Sequence, residues 1–128
     1  MEPLEYTPAA CMAREILDLV ADKWSLNVIA QLGPGPRRFN ELKRSIEGIS
    51  QRMLTVTLRG LERNGLVSRT VYPVMPPRVD YELTDVGRML LSASVELVTW
   101  AEGHLTEIGL ARARYDAAEA ELARSQVR

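Results

Sequence analysis

The side chains with the most chemical capacity in this chain are arginines. Arg52, Arg59 and Arg63 recur along one segment. At about 100° per residue of helix they fall within about 40° of one another. Leu54, Leu58 and Leu61 take the opposite side, and no acid shares the arginine face, since Glu62 lies nearer its boundary. A guanidinium offers a planar fork of N–H donors that matches guanine O6 and N7, or two phosphate oxygens. Thr55 and Val56, beside the arginines, carry methyl groups suited to a thymine methyl. Ser50, Gln51, Arg52 and Thr55 lie at the N-terminal end of this segment, the end of a recognition helix that reads base edges. The functional reading is a helix that enters the major groove of DNA, and the plain one is a solvated helix face.

Three further arginines flank this segment. Arg37 and Arg38 precede a short helix whose first amides are suited to a phosphate. The alternative is a solvated loop or an internal ion pair with Glu41. Arg78 lies beside a proline-stiffened turn, where it is placed for a phosphate or the minor groove, or else for pairing with Asp80.

Other chemistries lack their residues. The sequence has one cysteine, Cys11, and one histidine, His104. That pair cannot supply a Cys/His zinc site, a CxxC redox pair or an HExxH site. A lone cysteine forms no intramolecular disulfide, which fits a reducing compartment and a cytoplasmic location. Glu119 and Glu121 lie on a solvated stretch and make no acid/base pair. There is no Gly-rich phosphate loop, and no catalytic role or cofactor is expected. The acidic opening Met1-Glu2-Pro3-Leu4-Glu5 does not resemble a signal peptide, and no apolar run reaches the roughly 18 residues of a membrane span.

The net charge of −1 conceals segregation. Between Gly35 and Asp80 nine basic residues face four acids, whereas each flanking block carries a net charge of −3. A basic centre between acidic ends is a local footprint for a polyanion. With 128 residues, 46% of them hydrophobic, the chain suits one domain.

The elements that position these groups follow from periodicity and punctuation. Ala9 to Trp24 reads as a helix, with Ala13, Ile16, Leu17, Val20 and Trp24 as its stripe and Met12 and Leu19 widening it. Ser25 is suited to cap a second helix through Gln31, stopped by Gly33-Pro34-Gly35-Pro36. A third helix runs from Asn40 to Ile46. Ser50 caps a fourth, Gln51 to Asn64, with Gly65 at its C′ position. Leu66 to Val74 and Arg78 to Leu83 form a hairpin, with Val79, Tyr81 and Leu83 on one face. Thr84 caps a long helix to His104. Glu107 to Arg124 is helical, with Gly109 a candidate break. Trp24, Phe39, Tyr81 and Trp100 read as core. His104 reads as a cap or surface residue.

This order is mainly α with a small β-hairpin wing, that of a winged helix-turn-helix. Specific runs then resemble a known family. Lys23-Trp24, Arg38-Phe39-Asn40-Glu41-Leu42 and Ile49-Ser50-Gln51-Arg52-Met53-Leu54-Thr55 are similar to segments of HxlR-type regulators. So are Leu58 to Arg69 and, most specifically, Tyr72-Pro73-Val74-Met75-Pro76-Pro77-Arg78-Val79-Asp80-Tyr81-Glu82-Leu83-Thr84, with Gly87 and Trp100 beyond. The likeness spans Cys11 to His104. It implies a homodimer bound to a double-stranded operator. Some members carry a lone cysteine near the start of the first helix that oxidants or electrophiles modify, which points to Cys11. A small, buried, inert cysteine is the plain alternative.

The expectation is therefore a DNA-binding domain over 1–105 with a helical extension over 106–128, for which the resemblance offers no counterpart. Dimerisation is expected through the first and C-terminal helices, whose apolar residues exceed one stripe. The effector is an electrophile, an oxidant or a small molecule held between the first and last helices. The rival reading is a winged-helix protein-interaction module without sequence-specific DNA binding.

Overall fold

The computed structural model describes residues 7–127. They form two compact units, one ending at Ser92 and the other beginning at Ala93.

In the first unit, α1 (Pro8–Val20) opens on Thr7, whose Oγ1 accepts from the Ala10 amide at 3.1 Å, with a proline in the first turn. The helix expected to reach Trp24 ends at Val20. The chain is extended at Asp22, and α2 (Lys23–Leu32) begins there. Trp24 and Ser25 thus belong to the first turn of α2, and Ser25 is buried rather than a cap. Of the expected stripe on α1, only Val20 is buried, while Ile16 and Leu19 are half-buried and Leu17 and Met12 are exposed.

After the Gly-Pro turn, Arg37–Arg38 form a short strand, β1, where the sequence suggests only a loop. Then come α3 (Phe39–Ser45), α4 (Gln51–Arg63), β2 (Val67–Tyr72), β3 (Arg78–Leu83) and α5 (Asp85–Gly103). The expected hairpin of β2 and β3 is present, and β1 adds to it a third strand, giving an antiparallel sheet of order β1-β3-β2. Arg37 pairs with Tyr81 and Arg38 with Asp80, while Val67 to Tyr72 run opposite Leu83 to Arg78.

The core is built from Val28, Ile29 and Leu32 of α2, Leu42 of α3, Leu54, Leu58 and Leu61 of α4, Leu66 of the turn that follows it, and Val67 and Leu83 of the sheet. Trp24, Phe39 and Tyr81 pack against it. Val79, on the face of Tyr81 and Leu83, is only half-buried.

Two caps set the ends of α4. Ser50 Oγ accepts from the Met53 amide at 3.1 Å. At the other end Gly65 has φ +72°, a left-handed conformation that favours glycine. The Gly65 amide donates to Glu62 O at 3.0 Å and the Leu66 amide to Leu61 O at 2.9 Å, completing a Schellman turn closed by buried Leu61 and Leu66. The turn is tied to the start of α5. Thr84 Oγ1 donates to Gly65 O at 2.6 Å and accepts from the Gly87 amide at 3.1 Å, while the Thr84 amide donates to Leu66 O at 3.1 Å.

In the second unit α5 ends at Gly103 and α6 (Leu105–Gln126) follows. The break falls at His104, and Gly109 lies inside α6. His104 Nδ1 lies 2.7 Å from Trp100 O, and its ring stacks on Trp100 at 5.1 Å. Trp100 is 57% exposed and is not core. No described helix is long and apolar enough to cross a membrane.

Among the described glycines Gly87 has the least room for a side chain. A Cβ there would collide with the backbone carbonyl of Leu66, an atom that cannot rotate away. Gly87→Ala is expected to lower unfolding stability by about 1–3 kcal/mol or more, the usual range for overpacking. Denaturant titration checks this, and a midpoint equal to wild type would contradict the crowding.

Candidate nucleic-acid interface

The outward face of α4 follows from its inward one. Leu54, Thr57, Leu58 and Leu61 are buried, which fixes the rotation of the helix about its axis. Arg52, Arg59 and Arg63 are then exposed, together with Gln51 and Val56. Among the described residues none of the three arginines has an ion-pair partner. A desolvated, unpaired guanidinium is costly, so these three require water or an anion.

Other expected site residues have prior engagements. Ser50 Oγ is occupied as the cap of α4. Thr55 is half-buried, and its Oγ1 donates to Gln51 O at 2.9 Å. It lines a cleft of about 270 Å3 with Phe39, Arg59, Glu62, Arg69 and Tyr81. Arg37 Nη1 donates to Ser45 Oγ at 3.0 Å. The backbone amide of Arg38 donates to Glu41 Oε1 at 3.2 Å, so a carboxylate already sits where a phosphate was expected at the start of α3. The Arg38 guanidinium is not the group that holds Glu41.

Arg78 is paired with Asp80. Its Nε and Nη2 donate to the two carboxylate oxygens at 3.0 and 3.1 Å, and its guanidinium lies over the Tyr72 ring at 5.4 Å. These hydrogen bonds hold the Asp80 carboxyl below its ordinary range even though burial acts to raise it, and they raise Arg78 in turn. Arg69 of β2 is likewise paired, with Glu62 at 3.5 Å.

The fold brings together residues that are separate in the sequence. Arg52, Arg59 and Arg63 form one exposed stripe on α4. Lys43 and Arg44 are exposed on α3, the helix preceding α4 across a short turn. In the sequence those two count only toward the regional charge. Their signal is their place in the first helix of a helix-turn-helix, which crosses the DNA backbone. Tyr72, the platform beneath Arg78, gives no signal beyond strand propensity. Among the described residues no group of three or more His, Cys, Asp or Glu side chains is placed to hold a metal ion.

Residues 19–108 match the HxlR-like helix-turn-helix family. The chain is 38% identical over 98 residues to the uncharacterized HTH-type transcriptional regulator YtfH of Escherichia coli K12, covering 77% of this chain and 78% of that one. Among solved structures it is similar to the reduced form of the transcriptional regulator YodB from B. subtilis. That match has a TM-score of 0.66 at 35% identity and covers 77% of this chain and 93% of YodB. The oxidised form of the redox regulator HypR gives a TM-score of 0.65 at 40% identity, over 73% of this chain and 96% of HypR.

The Arg78–Asp80 pair makes a pH prediction. A carboxyl whose folded pKa is depressed contributes stability above its unfolded pKa, and that contribution is lost as pH falls through the folded value. The loss therefore belongs to the acid range, below the ordinary carboxylate range. Asp80 is expected to titrate below an ordinary aspartate by NMR, and Asp80→Asn to flatten the acid fall in stability. Equal acid slopes in the two proteins would contradict the pairing.

Proposed function

Because the chain belongs to the HxlR-like helix-turn-helix family of DNA-binding transcriptional regulators, we propose that it acts as a homodimer on a two-fold symmetric operator, with one α4 in each of two major-groove segments. The observation that carries this reading is the stripe of exposed arginines on α4, opposite a face that is buried in the core. Arg52, Gln51 and Ser50 lie at the end that enters the groove, and Arg59 follows along the same face. Val56 is placed for a thymine methyl, and Thr55 supports Gln51 through its backbone. Arg63, Arg37, Arg38 and Arg78 are assigned to phosphates, with Arg78 held in position by Asp80. Such contacts fix register and carry no sequence information. This role needs no catalytic group or cofactor, and a regulator of chromosomal DNA meets its target in the cytoplasm.

Unburied apolar residues support the dimer. Met12 and Leu17 of α1 and Val86 and Met89 of α5 are exposed in the first unit, and Val95, Leu97, Val98 and Trp100 in the second. Helices that are apolar beyond one stripe bury the excess against a partner, and a two-fold pair presents the same patch twice. In this reading residues 1–105 form the DNA-binding domain and 106–128 its extension. Half-sites then lie about 10 base pairs apart, centre to centre, or a multiple of that.

The double variant Arg52→Ala/Arg59→Ala tests the groove assignment. It is expected to weaken operator binding by about 1–3 kcal/mol for each arginine that reads a guanine, with relaxed preference at those positions. Measured across a salt series, wild type should show a steep fall in affinity as counterion release is suppressed. Unchanged affinity in the double variant would move the recognition face elsewhere.

The effector assigned to this site is an oxidant or electrophile acting at Cys11. Cys11 is half-buried on α1, and its amide donates to Thr7 O at 2.9 Å. The same helix borders a hollow of about 390 Å3 lined by Met12, Glu15, Ile16, Leu19, Arg63 and Asn64. That hollow lies against the C-terminal end of α4, and it is the place for a small-molecule effector if the thiol is inert. Mild oxidant or quinone is expected to change operator affinity at least about threefold in wild type and to leave Cys11→Ser unaffected. Gel-shift titration before and after treatment reads this. Equal responses in both proteins would leave Cys11 as packing.

A further inference from the structure

We infer that α6 is a self-recognition element that pairs antiparallel with α6 of a second copy of this chain. This rests on the homodimer reading and adds to it an interface beyond α1 and α5. The family match ends at residue 108, so nearly all of α6 lies outside it.

The helix runs for 22 residues, and none of them is buried. Isolated helices are marginal in water, and most helical stability in proteins comes from packing a face. Here Leu105, Leu110, Tyr115 and Leu122 stand exposed along a helix of which no residue is buried.

The spacing points to a second copy of the same helix as its cover. Ile108, Tyr115 and Leu122 recur every seven residues, and Ala111, Ala118 and Ser125 each follow three residues later. That is the a/d spacing of a coiled coil, with Ser125 its one polar member. The two orientations differ in how the seam fills. Side by side in parallel, Ile meets Ile, Ala meets Ala and Tyr meets Tyr, so wide layers alternate with gaps. In antiparallel register each layer joins a large residue to a small one: Ile108 to Ser125, Ala111 to Leu122 and Tyr115 to Ala118 of the second copy. Alternating large and small residues across facing positions is what fills an interhelical space without voids.

Charge agrees with this register. The flanking e and g positions hold Arg112 and Arg114 in the first heptad and Glu119 and Glu121 in the second. Antiparallel pairing sets e against e and g against g. Arg112 then faces Glu119 of the second copy, and Arg114 faces Glu121, each pair occurring twice about the two-fold axis. In the single chain Glu121 pairs with Arg124 at 2.7 Å. Both side chains of that pair are more than two-thirds exposed, and such surface pairs hold their partners weakly.

Full-length chains carrying Cys11→Ser test the orientation. One receives Ala111→Cys, the other Leu122→Cys, and they are oxidised separately and mixed. Antiparallel pairing brings residue 111 against residue 122 and keeps like residues about 16 Å apart along the axis, from the helical rise. A disulfide needs Cα atoms within roughly 7 Å. The expected result is a disulfide only between the two different variants. A disulfide between two copies of the same variant, or none, would overturn the inference.

A second measurement reads the charges. Arg112→Glu/Arg114→Glu and, separately, Glu119→Arg/Glu121→Arg should each raise the dimer dissociation constant about tenfold or more by sedimentation, and mixing the two should restore it. A dimer indifferent to both reversals would overturn the α6 pairing while sparing the α1 and α5 interface. A reversal that leaves only monomer would keep the α6 pairing and remove that other interface.

Discussion

The junction of Gly65, Leu66, Thr84 and Gly87 is the constraint from which the rest of the DNA-binding unit follows. One left-handed glycine ends α4, one threonine hydroxyl joins that end to the first turn of α5, and a missing Cβ lets the two backbones touch. The sheet leaves and re-enters the helical layer at this point. Its register is therefore set from the base, with Val67 opposite Leu83 as the first rung. The buried stripe on α4 then fixes the rotation of that helix, and the arginines point outward because the leucines point inward. Polar groups are satisfied in the same way: no buried side-chain nitrogen or oxygen among the described residues lacks a hydrogen-bond partner.

The basic residues separate into two groups that the net charge conceals. On β2 and β3 two of them are neutralised within the chain, Arg78 by Asp80 and Arg69 by Glu62. On α4 they are not. A pre-paired guanidinium adds little net charge toward a polyanion but is held in one geometry, which suits a positioning contact. An unpaired one has its full donor fork available, which suits base reading at Arg52 and Arg59 and a phosphate at Arg63. Asp80 is the hinge of this division, because it sits in the central strand, mostly buried, and holds its charge there through Arg78.

Much of this is legible in the sequence because local and global signals agree there. Ser50 and Gly65 bracket α4, the leucines at helical spacing give its phase, and Val-Thr-Tyr alternation gives β2 and β3. The departures have physical causes. Ile16, Val20 and Trp24 keep helical spacing across the break at Asp22, and the break contains no proline or glycine to mark it. β1 is two residues long, too short for any periodicity, and exists only through its pairing with β3. Trp100 reads as core from its side-chain type, yet the helix around it carries apolar residues on several faces and the sequence does not say which one is covered. At the α5–α6 boundary the glycine signal misleads. Gly109 is tolerated inside α6, while the chain turns at His104, whose ring stacks on Trp100 and whose Nδ1 reaches the Trp100 carbonyl. The outward direction of Arg52 is legible from spacing. The engagement of Arg78 with Asp80 is not, because strand alternation puts both residues on one side without deciding whether they pair.

The rigidity of the junction limits how such a protein can be regulated. Within one subunit α4 is capped at both ends, packed along one side and tied to α5, and close-packed interiors do not deform continuously. Changing the angle of α4 within its own domain would mean breaking the Schellman turn or opening the contact at Gly87. In the proposed dimer the softer coordinate is the separation of the two α4 helices, which depends on faces outside the core. Cys11 and the hollow beneath α1 lie on one such face. The arginine stripe is distant from α1 in sequence but not in space, since Arg63 borders that hollow. In the proposed dimer a modification or ligand at α1 would act on the end of the recognition helix and on the dimer surface together. Its leverage on DNA would come from displacing one rigid reading head relative to another, because two heads that fit half-sites at a single spacing lose cooperation as soon as that spacing shifts.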